Sequence, residues 1–388
     1  MKVISRFLIS VIFIFFAAGH SPLAAENQLF KSAPEDYKGK KWRIGYYQGG
    51  DYSDYQLVLI STIKGLMELG WIEKDEIPSP PDDKNRSIWD WLSTRAKSKY
   101  LEFVDDAFYT TNWTDDLRKE ITDKIIQRLN EKKDIDLMFA YGTWAGQDLA
   151  NNRHQTPTLV FSVSEPISAG IIKSVEDSGF DHVHSRIDPE RYERQIRIFH
   201  DIIRFKRLGL AYDNTEAGRT YGAIDKVERV AEELNFKLVR CFAEAAVPQK
   251  RIAENNMINC WKELKGRVDA IYVTKHLGVQ LRSIPKLVNI ANSARIPTFS
   301  QTGSEEVKYG FLLSIATSSL DPLGRFHAEV LGKVFNGAKP RQLAQYFESP
   351  QRIAINLATA ESIGYEPPVD VLSAADEVYL ETQTPESK

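Results

Sequence analysis

The sequence predicts an α/β protein built from two doubly wound parallel-sheet lobes joined by a hinge. Two observations carry this. Short, continuously apolar runs alternate with amphipathic segments of helical period, the pattern of parallel strands covered on both faces. The alternation runs once from about residue 42, breaks near residues 162–188, and then restarts.

In order, Trp42 to Tyr47 reads as a strand and Gln56 to Leu69 as a helix stopped by Gly70. Glu73 to Trp91 contains Pro78-Ser79-Pro80-Pro81 and reads as an insertion. Tyr100 to Phe108 is extended, and Asp115 to Glu131 is helical. Ile135 to Ala140 is a buried strand that runs through Gly142-Thr143 into a helix starting at Trp144 or Ala145. Thr158 to Ser162 is the next strand.

After the break, helices are expected over 189–203, 223–234, 249–264 and 284–293. Strands are expected over 207–212, 237–241, 268–273 and 296–300. Leu323 to Phe335 is one more amphipathic helix, and Arg352 to Asn356 a late strand. The expected division is residues 42–164 plus 303–345 for lobe one, 165–302 plus 346–372 for lobe two, and a tail over 373–388.

Composition narrows the function. Of 388 residues, 43% are hydrophobic and 27% charged, which excludes a disordered chain and a polytopic membrane protein. Fifty basic against fifty-three acidic side chains give −3, so no basic footprint for nucleic acid exists. Residues 1–25 have the three parts of a signal peptide: Lys2 and Arg6, the apolar run Phe7 to Ala18, and Leu23-Ala24-Ala25 before the cut. Cleavage there leaves 48 basic against 53 acidic residues and a soluble exported product, periplasmic in a Gram-negative source. Cys241 and Cys260 would then meet an oxidising compartment. They read either as a disulfide, contributing roughly 3 kcal/mol in the chain-entropy model, or as two buried thiols.

In doubly wound sheets the ligand crevice lies outside the carboxyl ends of the strands. The residues delivered there include Tyr47, Gln48, Thr143, Ser162, Glu165, Asn214, Lys275 and Gln301. Thr143 is placed to cap a helix N-terminus, where its hydroxyl and free backbone N–H groups suit an anionic group. Tyr46, Tyr47, Tyr52 and Tyr55 offer a stacking wall, although strand alternation must send Tyr46 and Tyr47 to opposite faces. The plainer alternative leaves Tyr46 and Tyr55 in the core. No nucleophile elbow, Walker loop, H-E-x-x-H or G-x-G-x-x-G pattern occurs at these ends. His182 and His184 lack a clustered third ligand, so no metal and no cofactor is expected. The chain reads as a binder, not an enzyme.

These strand-end residues, in this order, resemble the ABC-transporter substrate-binding proteins of the tryptophan/tyrosine-binding type. The most specific pieces are Asp136 to Thr143, Pro157 to Pro166, Asp269 to Val273, Ile296 to Phe299, and Ile355 to Ala360 with Ile363-Gly364. The likeness runs from about Arg43 to Pro368. It implies a type I periplasmic-binding-protein fold that closes over a small polar or aromatic molecule such as an amino acid. The implied partner is an inner-membrane permease or, without transport, a sensor receptor; a monomer is expected. Glu165 and Thr143 would face a ligand's ammonium and carboxylate. Two departures stand out: Ser164-Glu165-Pro166 replaces the family's Thr-Asp-Pro, and Lys275-His276 adds positive charge where the family often has a small polar or acidic residue. Lys275 would favour a ligand with an extra acidic group or else pair with Glu165 or Asp213, and of these the pairing is the expected consequence.

Overall fold

The computed structural model describes residues 30–35, 39–78, 84–245, 247, 249–316, 319–348 and 352–384. The expected signal segment, residues 1–25, lies outside them. Two sheets organise the chain. The first has five parallel strands in the order β2-β1-β3-β4-β5: β1 Trp42–Gln48, β2 Leu101–Thr110, β3 Leu137–Tyr141, β4 Thr158–Phe161 and β5 Val183–Ser185. Helices α1 Ser53–Glu68, α2 Asn85–Thr94, α3 Asp115–Gln127 and α4 Gly142–Leu149 connect them. Alternation sorts the side chains: Tyr46, Phe139 and Phe161 pack with α1 and α2, whereas Tyr47, Met138 and Val160 pack against the opposite layer.

The second sheet has seven strands in the order β12-β11-β10-β9-β8-β6-β7. They are β6 Arg207–Tyr212, β7 Lys237–Phe242, β8 Ala270–Val273, β9 Thr298–Ser300, β10 Leu313–Ala316, β11 Arg352–Asn356 and β12 Ala375–Tyr379. Pairing is parallel except between β10 and β11. Its helices are α5 Arg191–Ile203, α6 Glu216–Tyr221, α7 Ile224–Leu234, α8 Lys250–Leu264, α9 Ile284–Ser293 and α10 Ser304–Lys308. Helix α11, Asp321–Phe335, returns to the first lobe against α1, where the Ser61 hydroxyl donates to the Leu320 carbonyl at 2.7 Å. Helices α12 Leu357–Ile363 and α13 Val369–Ala374 complete the second.

The structure moves the expected lobe boundaries. Strand β5 lies inside the expected break at 162–188 yet pairs with β4, so the first lobe runs on to Ser185. Strand β10, expected in lobe one, pairs with β9 because Leu313 and Ile315 bury with Phe299 and Ile355. The expected tail contributes β12, whose backbone pairs with β11. The expected insertion holds α2, amphipathic enough to bury Ile88, Trp89 and Leu92 over β2.

Cys241 and Cys260 form a disulfide that ties β7 to α8, so the bridge is the reading that holds. At the start of α6 the Thr215 hydroxyl accepts from the Gly218 N–H at 3.0 Å. Thr215→Ala is expected to cost about 1 kcal/mol, read as a lower midpoint in urea unfolding. An unchanged midpoint would mean that water satisfies that N–H equally well.

Candidate functional site

Where the carboxyl ends of the two sheets face each other, a crevice is lined from both lobes by Tyr52, Tyr55, Trp113, Thr143, Ser162, Tyr221, Lys275, His276 and Leu277. It leaves ≈ 30 Å³ in which the centre of a water could sit, room for a water or two. The seam is shut: α4 touches α6, and Leu277 joins the apolar cluster that holds Tyr52 and Tyr55.

The first lobe supplies the rings. Tyr52 immediately precedes α1, and Tyr55 lies in its first turn, meeting Tyr52 edge-on with centroids 5.4 Å apart. The Tyr55 hydroxyl occupies the space beside Gly142, where any Cβ would overlap it, and Gly142 has φ +85°. A glycine is therefore needed at the β3–α4 junction. Trp113, at φ 58°, lies across Gly49 and Gly50, and a Cβ on Gly50 would run into its indole. Its ring also meets Trp144 edge-on at 5.5 Å.

The second lobe supplies charge. Lys275 Nζ reaches across the seam to Asp54 Oδ2 at 2.8 Å and sits 5.3 Å from the centroid of Tyr52. Its backbone N–H donates to Gln301 Oε1 at 2.6 Å, while Gln301 Nε2 donates to the Tyr221 carbonyl at 3.1 Å. Burial pushes the Asp54 carboxyl up, but Lys275, Ser162 and Arg191 outweigh it and hold the group below the ordinary range. Ser162, at φ 54°, lies close enough to help hold Asp54 ionised, yet its hydroxyl has no hydrogen bond of ordinary geometry among the described residues.

Two further carboxyls behave differently. Burial raises Glu306 to about 7 against the hydroxyl of Ser300, which donates to Oε2 at 2.6 Å. Burial likewise raises Glu165 to about 7, opposed by Lys226 and reinforced by Glu193 and Asp188. Its Oε2 lies 3.9 Å from Lys226, and its Oε1 finds no partner among the described residues.

Of the residues expected at the ligand crevice, Thr143, Ser162 and Lys275 line it together. The others lie elsewhere. Tyr47 is wholly buried on the far face of the first sheet, its hydroxyl donating to Asp148 Oδ2 at 2.7 Å. Gln48 is locked in a network: it accepts from the Tyr46 hydroxyl and Asn85 Nδ2, each at 2.8 Å, and donates to Asp51. Asn214 is exposed in the loop before α6. Glu165 is buried beside Lys226 and does not line the crevice, and Gln301 stands behind it.

Thr143 is the second residue of α4 rather than its cap, because Gly142 already begins the helix. Lys275 pairs with Asp54, not with Glu165 or Asp213; the Asp213 carboxylate accepts the backbone N–H groups of Thr215 and Ala245 instead. His276 adds no positive charge. Burial lowers it to about 4, its Nδ1 accepts from the Gly278 N–H, and Nε2 lies 2.8 Å from the Ala243 carbonyl. Sequence reasoning missed Asp54, Trp113 and Tyr221. The signal for Trp113 was the facing Gly49-Gly50; Asp54, 221 positions from Lys275, gave none.

Comparison with known proteins places this geometry. The Tyrosine-binding protein of Clostridioides difficile is 26% identical over 180 residues, 45% of this chain and 48% of that protein. The alignment thus spans about half the length of that relative. Among solved structures, the ABC domain from Streptococcus pneumoniae in complex with L-Trp superposes with a TM-score of 0.65 at 19% identity, covering 87% of this chain and 100% of the other. A ligand-free, open substrate binding protein with adhesive properties from Clostridium difficile gives 0.55 at 21%, covering 88% and 100%. The fold is that of the type I periplasmic binding proteins. Among the described residues no helix is long and apolar enough to cross a membrane. Residues 111–379 match the sequence profile described as ABC transporter substrate binding protein, and with more than half of its length matched the chain belongs to that family.

Proposed function

We propose that this chain is the exported, periplasmic solute-binding component of an ABC importer, which closes its two lobes around a small polar or aromatic molecule, with amino acids as the first class to test. The observation that carries the reading is the crevice itself, walled by Tyr52, Tyr55 and Trp113 of one lobe and by Tyr221, Lys275 and Leu277 of the other. A ligand touching both walls stabilises only the closed arrangement, and this differential affinity is what moves such an equilibrium. The relatives named for tyrosine and bound to L-Trp support an aromatic guest, and the rings offer stacking faces for one. The chain crosses between lobes before α5, before α11 and before β11, and these crossings serve as the hinge. The closed form then docks on the permease as a monomer.

Trp113 lines the crevice and meets Trp144 edge-on, so ligand entry changes intrinsic fluorescence. Titration with tyrosine, tryptophan, phenylalanine and their deaminated acids is expected to give a saturable signal with Kd below about 1 mM for at least one compound. The absence of saturable binding across that panel overturns the assignment of an aromatic solute.

A further inference from the structure

The charges around the crevice do not suit a zwitterion. An α-amino acid needs an ionised carboxylate for its ammonium and donors for its own carboxylate. The nearby acids are engaged. Asp54 is paired with Lys275 at 2.8 Å. Asp51 accepts from Gln48 Nε2 at 2.8 Å, and Asp213 accepts two backbone N–H groups. Asp188 lies 3.4 Å from Arg194 and 3.8 Å from Arg186. Glu165 and Glu306 carry weaker claims on them, and burial keeps both protonated to about neutrality. An ammonium at Asp54 would have to share that carboxylate with Lys275, which sets two cations side by side in a largely buried site.

The cations, by contrast, are less fully engaged. The guanidinium of Arg191, the first residue of α5, makes no hydrogen bond and no ion pair among the described residues, while its backbone N–H donates to the Asp188 carbonyl at 3.3 Å. Its guanidinium lies 5.3 Å from the centroid of Tyr192, and Asp188, Asp54 and Tyr272 are its further electrostatic neighbours. A planar fork of five donors left unpaired there matches a carboxylate. Lys275 spends one of its three donors on Asp54. The buried Ser162 hydroxyl beside them is unpartnered among the described residues. Donors for one carboxylate are therefore present, whereas an ammonium would have to share an engaged acid or ionise a buried one.

Resting on the binding-protein reading above, we propose that the crevice takes an aromatic monocarboxylate without an α-ammonium group, such as an aryl-alkanoate or aryl 2-oxo acid. Arg191, Lys275 and the Ser162 hydroxyl hold its carboxylate while Asp54 stays on Lys275. Tyr52, Tyr55 and Trp113 face its ring. Such a guest gives the Arg191 guanidinium a hydrogen-bonded carboxylate and leaves the cross-lobe pair intact. A rival arrangement places an ammonium on Glu165, whose free Oε1 would ionise to receive it, and the experiment separates the two.

The experiment is calorimetric titration of the full chain with matched compounds: tyrosine, 3-(4-hydroxyphenyl)propionate and tyramine, with phenylalanine and 3-phenylpropionate as a second pair. The propionates are expected to bind at least about tenfold more tightly than the amino acids, and tyramine not to bind. Arg191→Gln is expected to weaken propionate binding more than about tenfold, with Arg191→Lys retaining part of it. Melting curves of both variants check that they fold. Amino acids binding as well as or better than the propionates overturn the proposal and leave the importer reading standing. So does propionate binding unchanged in a folded Arg191→Gln protein. Binding of no compound in the set overturns both readings for aromatic solutes.

Discussion

Gly142→Ala is expected to abolish binding of any aromatic solute the wild-type protein takes and to lower its stability by about 3 kcal/mol. Two terms add. Gly142 stands at φ +85°, a left-handed conformation that costs an L-residue about 1–2 kcal/mol. The added methyl also lands on the Tyr55 hydroxyl, and relief of that overlap means moving the ring, of the order of 1–3 kcal/mol in a packed environment. Tyr55 is 6% exposed and packs between Tyr52, Trp113 and Tyr141, so it shifts toward the crevice, where only ≈ 30 Å³ remains. Thermal unfolding and fluorescence titration read the two effects separately. Tyr55→Leu in the Gly142→Ala background removes the overlap and keeps the backbone cost, so it is expected to recover about half of the lost stability. A Gly142→Ala protein that melts and binds like the wild type would show that the β3–α4 junction adjusts freely.

Much of the fold was legible because its strands are apolar and its helices periodic. Leu137 to Tyr141, Arg207 to Tyr212 and Ala270 to Val273 are such strands, and the structure finds them within a residue or two of their expected bounds. The elements that escaped reading are short or polar. Val183–Ser185 is three residues with His184 at its centre, and Ala375–Tyr379 is an edge strand carrying Asp376 and Glu377. Neither length nor alternation marks them, and only pairing with β4 and β11 makes them strands. Missing them moved both lobe boundaries.

The candidate site divides in the same way. Thr143, Ser162 and Lys275 were reachable because topology places strand ends at the crevice. Tyr47 and Gln48 end a strand too, but Tyr47 faces the other side of the sheet and Gln48 serves Tyr46 and Asn85. Tyr55 meets both of its expected places: it is buried in the apolar cluster and also lines the crevice, where Gly142 leaves room for its hydroxyl. The Asp54–Lys275 pair joins the first turn of α1 to the end of β8, a contact set by how the lobes meet. No local pattern encodes that.

Glu165→Gln is expected to stabilise the protein at pH 8 and to leave it unchanged at pH 4.5. Glu165 is 3% exposed. Burial raises its pKa from 4.5 to about 7, with Lys226 opposing and Glu193, Asp188 and Asp225 adding to the rise. An acid raised in the folded state holds its proton more tightly there than in the unfolded chain. Its favourable contribution is therefore fully present below pH 4.5, and stability falls as pH climbs from 4.5 through 7. At about 1.4 kcal/mol per pH unit, the loss by pH 8 is about 3 kcal/mol. Glutamine fills the same space without the titration, and Lys226 keeps Glu193 at 3.4 Å and the Pro189 carbonyl at 3.1 Å. Melting temperatures of both proteins at pH 4.5 and 8 test this, with the variant several degrees higher at pH 8 alone. A gap of equal size at both pH values refutes the buried-acid account. A variant less stable than the wild type at pH 8 shows instead that the 3.9 Å approach of Lys226 outweighs the desolvation of the carboxylate.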